Sequence, residues 1–75
     1  MENLKSICDQ EFIKVPSHKT VYDACIAMEK KGVGAVVVVE GMKTVGIFSE
    51  RDVMNRVVVK GQNPLTTPLE KVMTS

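Results

Sequence analysis

The stretch KGVGAVVVVEGMKTVGIFSERDV, Lys31 to Val53, decides how this chain reads. Ala35 to Val39 is a β-branched run without polar alternation, which predicts a strand covered on both faces or nearly so. Glu40-Gly41-Met42-Lys43 reads as a hairpin connection, and Thr44 to Phe48 as the returning strand. Gly46 inside that strand marks a bend or a close approach by another group. Ser49 then opens a helix, with Asp52 at the spacing of an N-terminal cap.

Working outward, Phe12 to Val15 predicts a brief strand closed by Pro16, and "PSHK" a turn. Thr20 caps a first helix, with Asp23 in its first turn. Val21, Ala24, Cys25 and Met28 give it one apolar face. Lys30-Lys31-Gly32 stops it, with charge suited to the dipole and then a glycine. The second helix carries Val53, Met54, Val57 and Val58 as its buried stripe and stops at Gly61. Val57 to Val59 are mediocre helix formers, so packing must hold that turn. "GQNPLTTP" is a loop, and Leu69 starts something new. "LEKVMTS" echoes "LKSICDQ" at an offset of 65, as if the beginning of a second repeat follows the first.

The chain of 75 residues is one small domain, with a core that alone gives marginal stability. Its element order, β-α-β-β-α, predicts an α/β fold (α+β by stricter definition). Three strands would form the sheet and two helices would cover one face. The other face would be thinly covered and the helical stripes generous, which predicts self-association. Ten basic residues against nine acidic ones, scattered along the chain, argue against nucleic acid. Cys8 and Cys25 lie 17 apart with one His18, which is no zinc-ligand spacing. They read as buried thiols of a reducing, cytoplasmic setting, with Cys25 as a small core residue. The longest apolar run is the length of a strand, so no membrane segment is expected. No nucleophile is paired with a base, which argues against an enzyme.

Ser49-x-x-Asp52 carries two readings. As a capping box, the serine and the aspartate satisfy each other's backbone and need no ligand. As a site, a serine hydroxyl and the helix start suit a phosphate, while the aspartate accepts the two hydroxyls of a cis-diol. Arg51 beside them can offset phosphate charge. Gly32-Val33-Gly34-Ala35 offers small residues at the mouth of a strand, and Phe12, Ile13 and Val15 offer apolar surface on its neighbour.

With these pieces in register, the sequence resembles the cystathionine-β-synthase (CBS) domain family from about Leu4 to Val59. The matching segments are "FIKVPSHKTVYDACIAM", "KGVGAVVVVEGMKTVGIFSERDV" and the tail "PLEKVMTS". Gly46, Ile47, Ser49 and Asp52 fill the family pattern Gly-aliphatic-x-Ser/Thr-x-x-Asp. The resemblance implies a single motif with a core of about residues 4–60, half of a paired module, in which residues 69–75 look like the start of a second motif. It implies a regulatory site for an adenosine derivative: AMP, ADP, ATP, S-adenosylmethionine or NAD. Asp52 would hold the ribose hydroxyls, Ser49 the ribose or phosphate, and Arg51 the phosphate. Cys8, Ile13, Val33 and Ala35 match positions lining the adenine slot, with Ile47 beside them. The partner would be a second copy in a homodimer or a second CBS motif of a longer protein. The regulated unit would be an enzyme or transporter domain.

Overall fold

The computed structural model describes residues 13–75. Phe12 and Cys8 lie outside the described residues, so the first strand is seen as β1 (Lys14–Pro16). It is followed by α1 (Val21–Lys31), β2 (Ala35–Glu40), β3 (Lys43–Ser49) and α2 (Glu50–Asp52), which runs on into a π-helical stretch (Val53–Val58). A 3-10 turn (Leu69–Lys71) precedes the tail.

The sheet has the order β1-β2-β3, with β1 parallel and β3 antiparallel to the central β2. β1 is thus an edge strand among the described residues, where Pro16 costs no ladder bond. Both ends of α1 follow from local chemistry. Thr20 Oγ1 accepts from the Asp23 N–H, and Asp23 accepts in return from the Thr20 N–H, both at 3.2 Å. Gly32, at φ 68°, takes the left-handed cap that a side chain would resist.

β2 alternates rather than being covered on both sides. Val36 and Val38 are buried, whereas Val37 and Val39 are half-buried and Ala35 is exposed. The unpolarised valine run predicted two covered faces, but a single chain supplies helices to one face only. That inner face unites Val15, Val36, Val38 and Phe48 with Val21, Ala24 and Met28 of α1 and Val57. Burying a side chain such as Phe48 stabilises the fold by about 1.5–3 kcal/mol.

The second helix differs from expectation. It is α-helical for three residues and then widens, with the Val59 N–H donating to the Met54 carbonyl at 3.0 Å. Only the row Val53 and Val57 turns inward. Met54 and Val58, expected in the buried stripe, are 56% and 67% exposed, because a three-stranded sheet gives room for one row of side chains. Cys25 is half-buried and packs against the core from its edge.

The segment after Gly61 is part of this domain's own core. Leu69 is fully buried and Val72 nearly so. The loop before them supplies acceptors to the open start of α1: the Val21 N–H donates to the Thr67 carbonyl at 3.0 Å, and the Tyr22 N–H to the Pro64 carbonyl at 2.9 Å. Leu69 and Glu70 donate to the carbonyls of Lys19 and Ser17. The tail then lies along β3, where Ile47 and Thr74 exchange both backbone hydrogen bonds at 2.8 Å. This is the close approach that Gly46 serves. A Cβ there would meet Met73 Sδ at 2.7 Å and the Thr74 carbonyl oxygen at 2.9 Å. A bulge beside it, with Val38 opposite Gly46 but Val39 opposite Thr44, leaves Val45 as the extra residue of β3.

Because the tail closes the core, Leu69→Ala is expected to cost about 2–5 kcal/mol, as for a central core leucine. Chemical denaturation followed by circular dichroism measures it, and a loss under about 1 kcal/mol would show the tail to be an accessory.

Candidate functional site: the Asp52 carboxylate at the sheet edge

β3 runs into α2 at Ser49, whose extended backbone (φ −124°) turns the chain into the helix. Asp52 N–H donates to Ser49 Oγ at 3.3 Å, and the Ser49 N–H donates back to Asp52 Oδ2 at 3.0 Å. The capping box anticipated for this pair is therefore present. The Ser49 hydroxyl also donates to Oδ2 at 3.1 Å.

The other carboxylate oxygen has partners that local sequence reading missed. Arg56 Nε lies 3.4 Å from Oδ1, one helical turn on, and the Thr74 hydroxyl donates to Oδ1 at 3.4 Å. Arg56 also donates through Nη1 to the Met73 carbonyl at 3.2 Å. Asp52 is only 8% exposed, so its charge has been withdrawn from water and needs these donors. A carboxylate offers about four acceptor positions, and here three hydrogen bonds and the Arg56 ion pair engage them. The spacing Asp52 to Arg56 is the favourable i, i+4 pairing and was visible in the sequence. The contribution of Thr74, 22 residues away, was not.

The other anticipated site residues divide between two places. Ala35 pairs with Ser49 across the sheet, and Ile47 pairs with Val37. Strand alternation puts Ala35, Val37, Ile47 and Ser49 on the outer face, which the helices leave uncovered. Ala35, Ile47, Ser49 and Asp52 thus meet around one corner. Ile13 and Val33 do not join them; both pack against the inner core. Ile13 falls on the same side of β1 as Val15, so its side chain faces the helices. Arg51 is exposed and makes no ion pair with another described residue. Cys8 lies outside the described residues.

On the helix side of the same end of the sheet lies a cavity of about 630 Å³, lined by Cys25, Met28, Val33, Gly34, Glu50 and Val53 among others. The Glu50 carboxylate covers Gly34, where a Cβ would lie 3.3 Å from its Oε1. Burial pushes the Cys25 thiol above its ordinary range. Among the described residues no three His, Cys, Asp or Glu side chains are grouped to hold a metal ion. None of the described helices is long and apolar enough to cross a membrane.

The model of the CBS domain matches residues 4–59. This chain belongs to the CBS domain family. It is 32% identical over 77 aligned positions to the mitochondrial CBS domain-containing protein CBSX3 of Arabidopsis thaliana, covering 99% of this chain and 37% of that protein. Among solved structures, a protein with CBS domains from Burkholderia ambifaria MC40-6 superposes with a TM-score of 0.81 at 38% identity, over 84% of this chain and 46% of the other. A cystathionine beta-synthase domain protein fused to a Zn-ribbon-like domain gives 0.80 at 35% identity, over 84% and 90%. The match thus spans 37% of the Arabidopsis protein and a little under half of the Burkholderia chain.

Two outcomes follow from the geometry. Ser49→Ala removes the cap acceptor and a donor to Asp52, and is expected to cost about 1–2 kcal/mol in a denaturant titration. In a Cys8→Ser background, Cys25 is expected to alkylate more slowly than a free thiol peptide near neutral pH. Burial raises its pKa, so the thiolate forms later and the rate climbs at higher pH than for the peptide. A rate–pH curve superimposable on the peptide's would contradict this.

Proposed function

We propose that this CBS domain is half of a regulatory module that senses an adenosine derivative at the interface between two CBS domains. The observation that carries the reading is the outer corner of the sheet. There the acceptor Asp52 and the hydroxyl of Ser49 stand beside an uncovered apolar surface of Ala35 and Ile47. A ribose requires an acceptor for its cis-diol, and a purine requires an apolar face with nearby backbone groups. A single chain offers one wall of such a cleft. A second copy, or a second CBS motif of the same protein, supplies the other.

Exposed apolar surface supports that pairing. Ile47 is 49% exposed on the outer face, and Tyr22, Ile26, Met54, Val58 and Val59 are exposed on the helices. The ligand class is AMP, ADP, ATP, S-adenosylmethionine or NAD. Arg51, exposed beside the corner, is the cation available to a phosphate. Ligand at the interface favours one relative orientation of the two domains, and a linked or associated enzyme or transporter domain reads that orientation. The role is regulatory rather than catalytic, in a cytoplasmic setting.

A second reading has its own observation. Both oxygens of Asp52 are already engaged within the chain, as in a purely structural cap. Under it the domain is a ligand-free dimerisation module.

Isothermal titration with AMP, ATP, S-adenosylmethionine and NADH, on protein of mass measured by light scattering, separates the two. A dimer that binds one of them, with the heat lost in Asp52→Ala while circular dichroism stays unchanged, is the expected result. A folded dimer giving no heat with any of the four would establish the structural module.

A further inference from the structure

We propose that the tail strand around Met73 and Thr74 is a latch held shut by Asp52, so that a ligand taking this carboxylate releases the tail. The inference rests on the nucleotide reading above and concerns how its site communicates.

The latch is built from one carboxylate oxygen. Asp52 Oδ2 belongs to the cap, receiving both the N–H and the hydroxyl of Ser49. Oδ1 belongs to the tail. It accepts from the Thr74 hydroxyl directly, and it pairs with Arg56, which donates its other end to the Met73 carbonyl. Thr74 is exposed and Arg56 is half-exposed, so both donors can be exchanged without opening the core. The Ser49 bonds cannot be exchanged in this way, because they hold the turn from β3 into the helix.

A cis-diol needs two acceptor positions, and the carboxylate's positions are filled. The positions most easily vacated are those on Oδ1. Ribose and tail therefore compete for the same atom. The tail's remaining hold on the sheet is the pair of backbone bonds between Ile47 and Thr74 and the half-buried Met73 side chain, which packs against the core over Gly46. Leu69 and Val72 anchor the segment further back in the core. Release would thus be confined to the last few residues described, with Val72 as the fixed end. The chemistry is strand detachment driven by loss of a side-chain anchor, and by linkage it is reciprocal. A looser tail must bind ligand more tightly, by the same factor with which ligand loosens the tail.

Amide hydrogen exchange on the full chain reads the tail directly. Two variants keep the cap intact: Arg56→Met retains most of the side-chain stem, and Thr74→Val retains the β-branched shape. In each, exchange at the amides of positions 47 and 74, relative to the intrinsic rate of the residue present, is expected to rise at least about fivefold, a typical lower bound for coupled sites. The Val37 amide, which donates to Ile13 on the opposite strand pair, should not change. In the parent protein, whichever of the four nucleotides gives heat should accelerate the same two amides, and it should bind Arg56→Met more tightly. Unchanged exchange at Ile47 and Thr74 in both variants overturns the latch. So does a bound nucleotide that slows those amides or leaves them alone. If no nucleotide gives heat with any form, the nucleotide reading fails and the competition falls with it. Faster exchange in the two variants would then still establish Asp52 as the anchor of the tail.

Discussion

A buried carboxylate that cannot be left without donors organises this small domain. Asp52 sits where β3, the second helix and the tail converge, and it is almost removed from water. An ionised group in that position is costly unless hydrogen-bonded, so the chain must bring donors to it. It does so from three directions: the serine at the end of β3, an arginine one turn along the helix, and a threonine from the tail. Each donor fixes a segment. The serine sets where the strand stops and the helix begins. The arginine and threonine set where the tail crosses the sheet. Gly46 and the neighbouring bulge are the backbone's accommodation to that crossing.

The local parts of this arrangement were readable in the residues. The Thr20 and Ser49 caps and the glycine stop of α1 depend on contacts within four residues, and they formed as read. The valine run and the hairpin formed as strands too, although the run is covered on one face rather than two. What was not readable depends on distance along the chain. Nothing near Ser49 announces that Thr74 will reach it. The similarity of the tail to the opening residues pointed to a second repeat, and that similarity says nothing about where the tail packs. Leu69 and Val72 fill the core of the motif they follow. The helical stripe failed for a related reason. A sequence shows which residues are apolar, but the width of the sheet decides how many rows of them are covered. Here that width admits Val53 and Val57 and leaves Met54 and Val58 outside. The same limit divided the candidate site residues. Family position grouped Ile13 and Val33 with Ala35, whereas strand alternation sends Ile13 inward and leaves Ala35 outside.

The uncovered rows matter for how such a domain exists in solution. A chain of 75 residues buries one sheet face and leaves the other, with Ala35, Val37 and Ile47, partly open. A core of this size gives little stability to spare. Covering the outer face with a second CBS domain would add apolar burial at the place where Ser49 and Asp52 are held. Assembly and ligand binding would then share a surface, and each would strengthen the other through the same linkage that couples any two ligands of one state.

That shared surface also bears on which of the two meanings of Ser49-x-x-Asp52 applies. A cap and a diol acceptor make different demands on the carboxylate. The cap needs one oxygen, held at short range by the serine; a diol needs acceptor capacity facing out of the fold. The two oxygens of Asp52 are divided, Oδ2 to the cap and Oδ1 to Arg56 one turn along the helix and to Thr74 of the tail. Asp52 can keep its structural bonds while the partners of Oδ1 change. The capping box therefore engages one oxygen and leaves the partners of the other free to change.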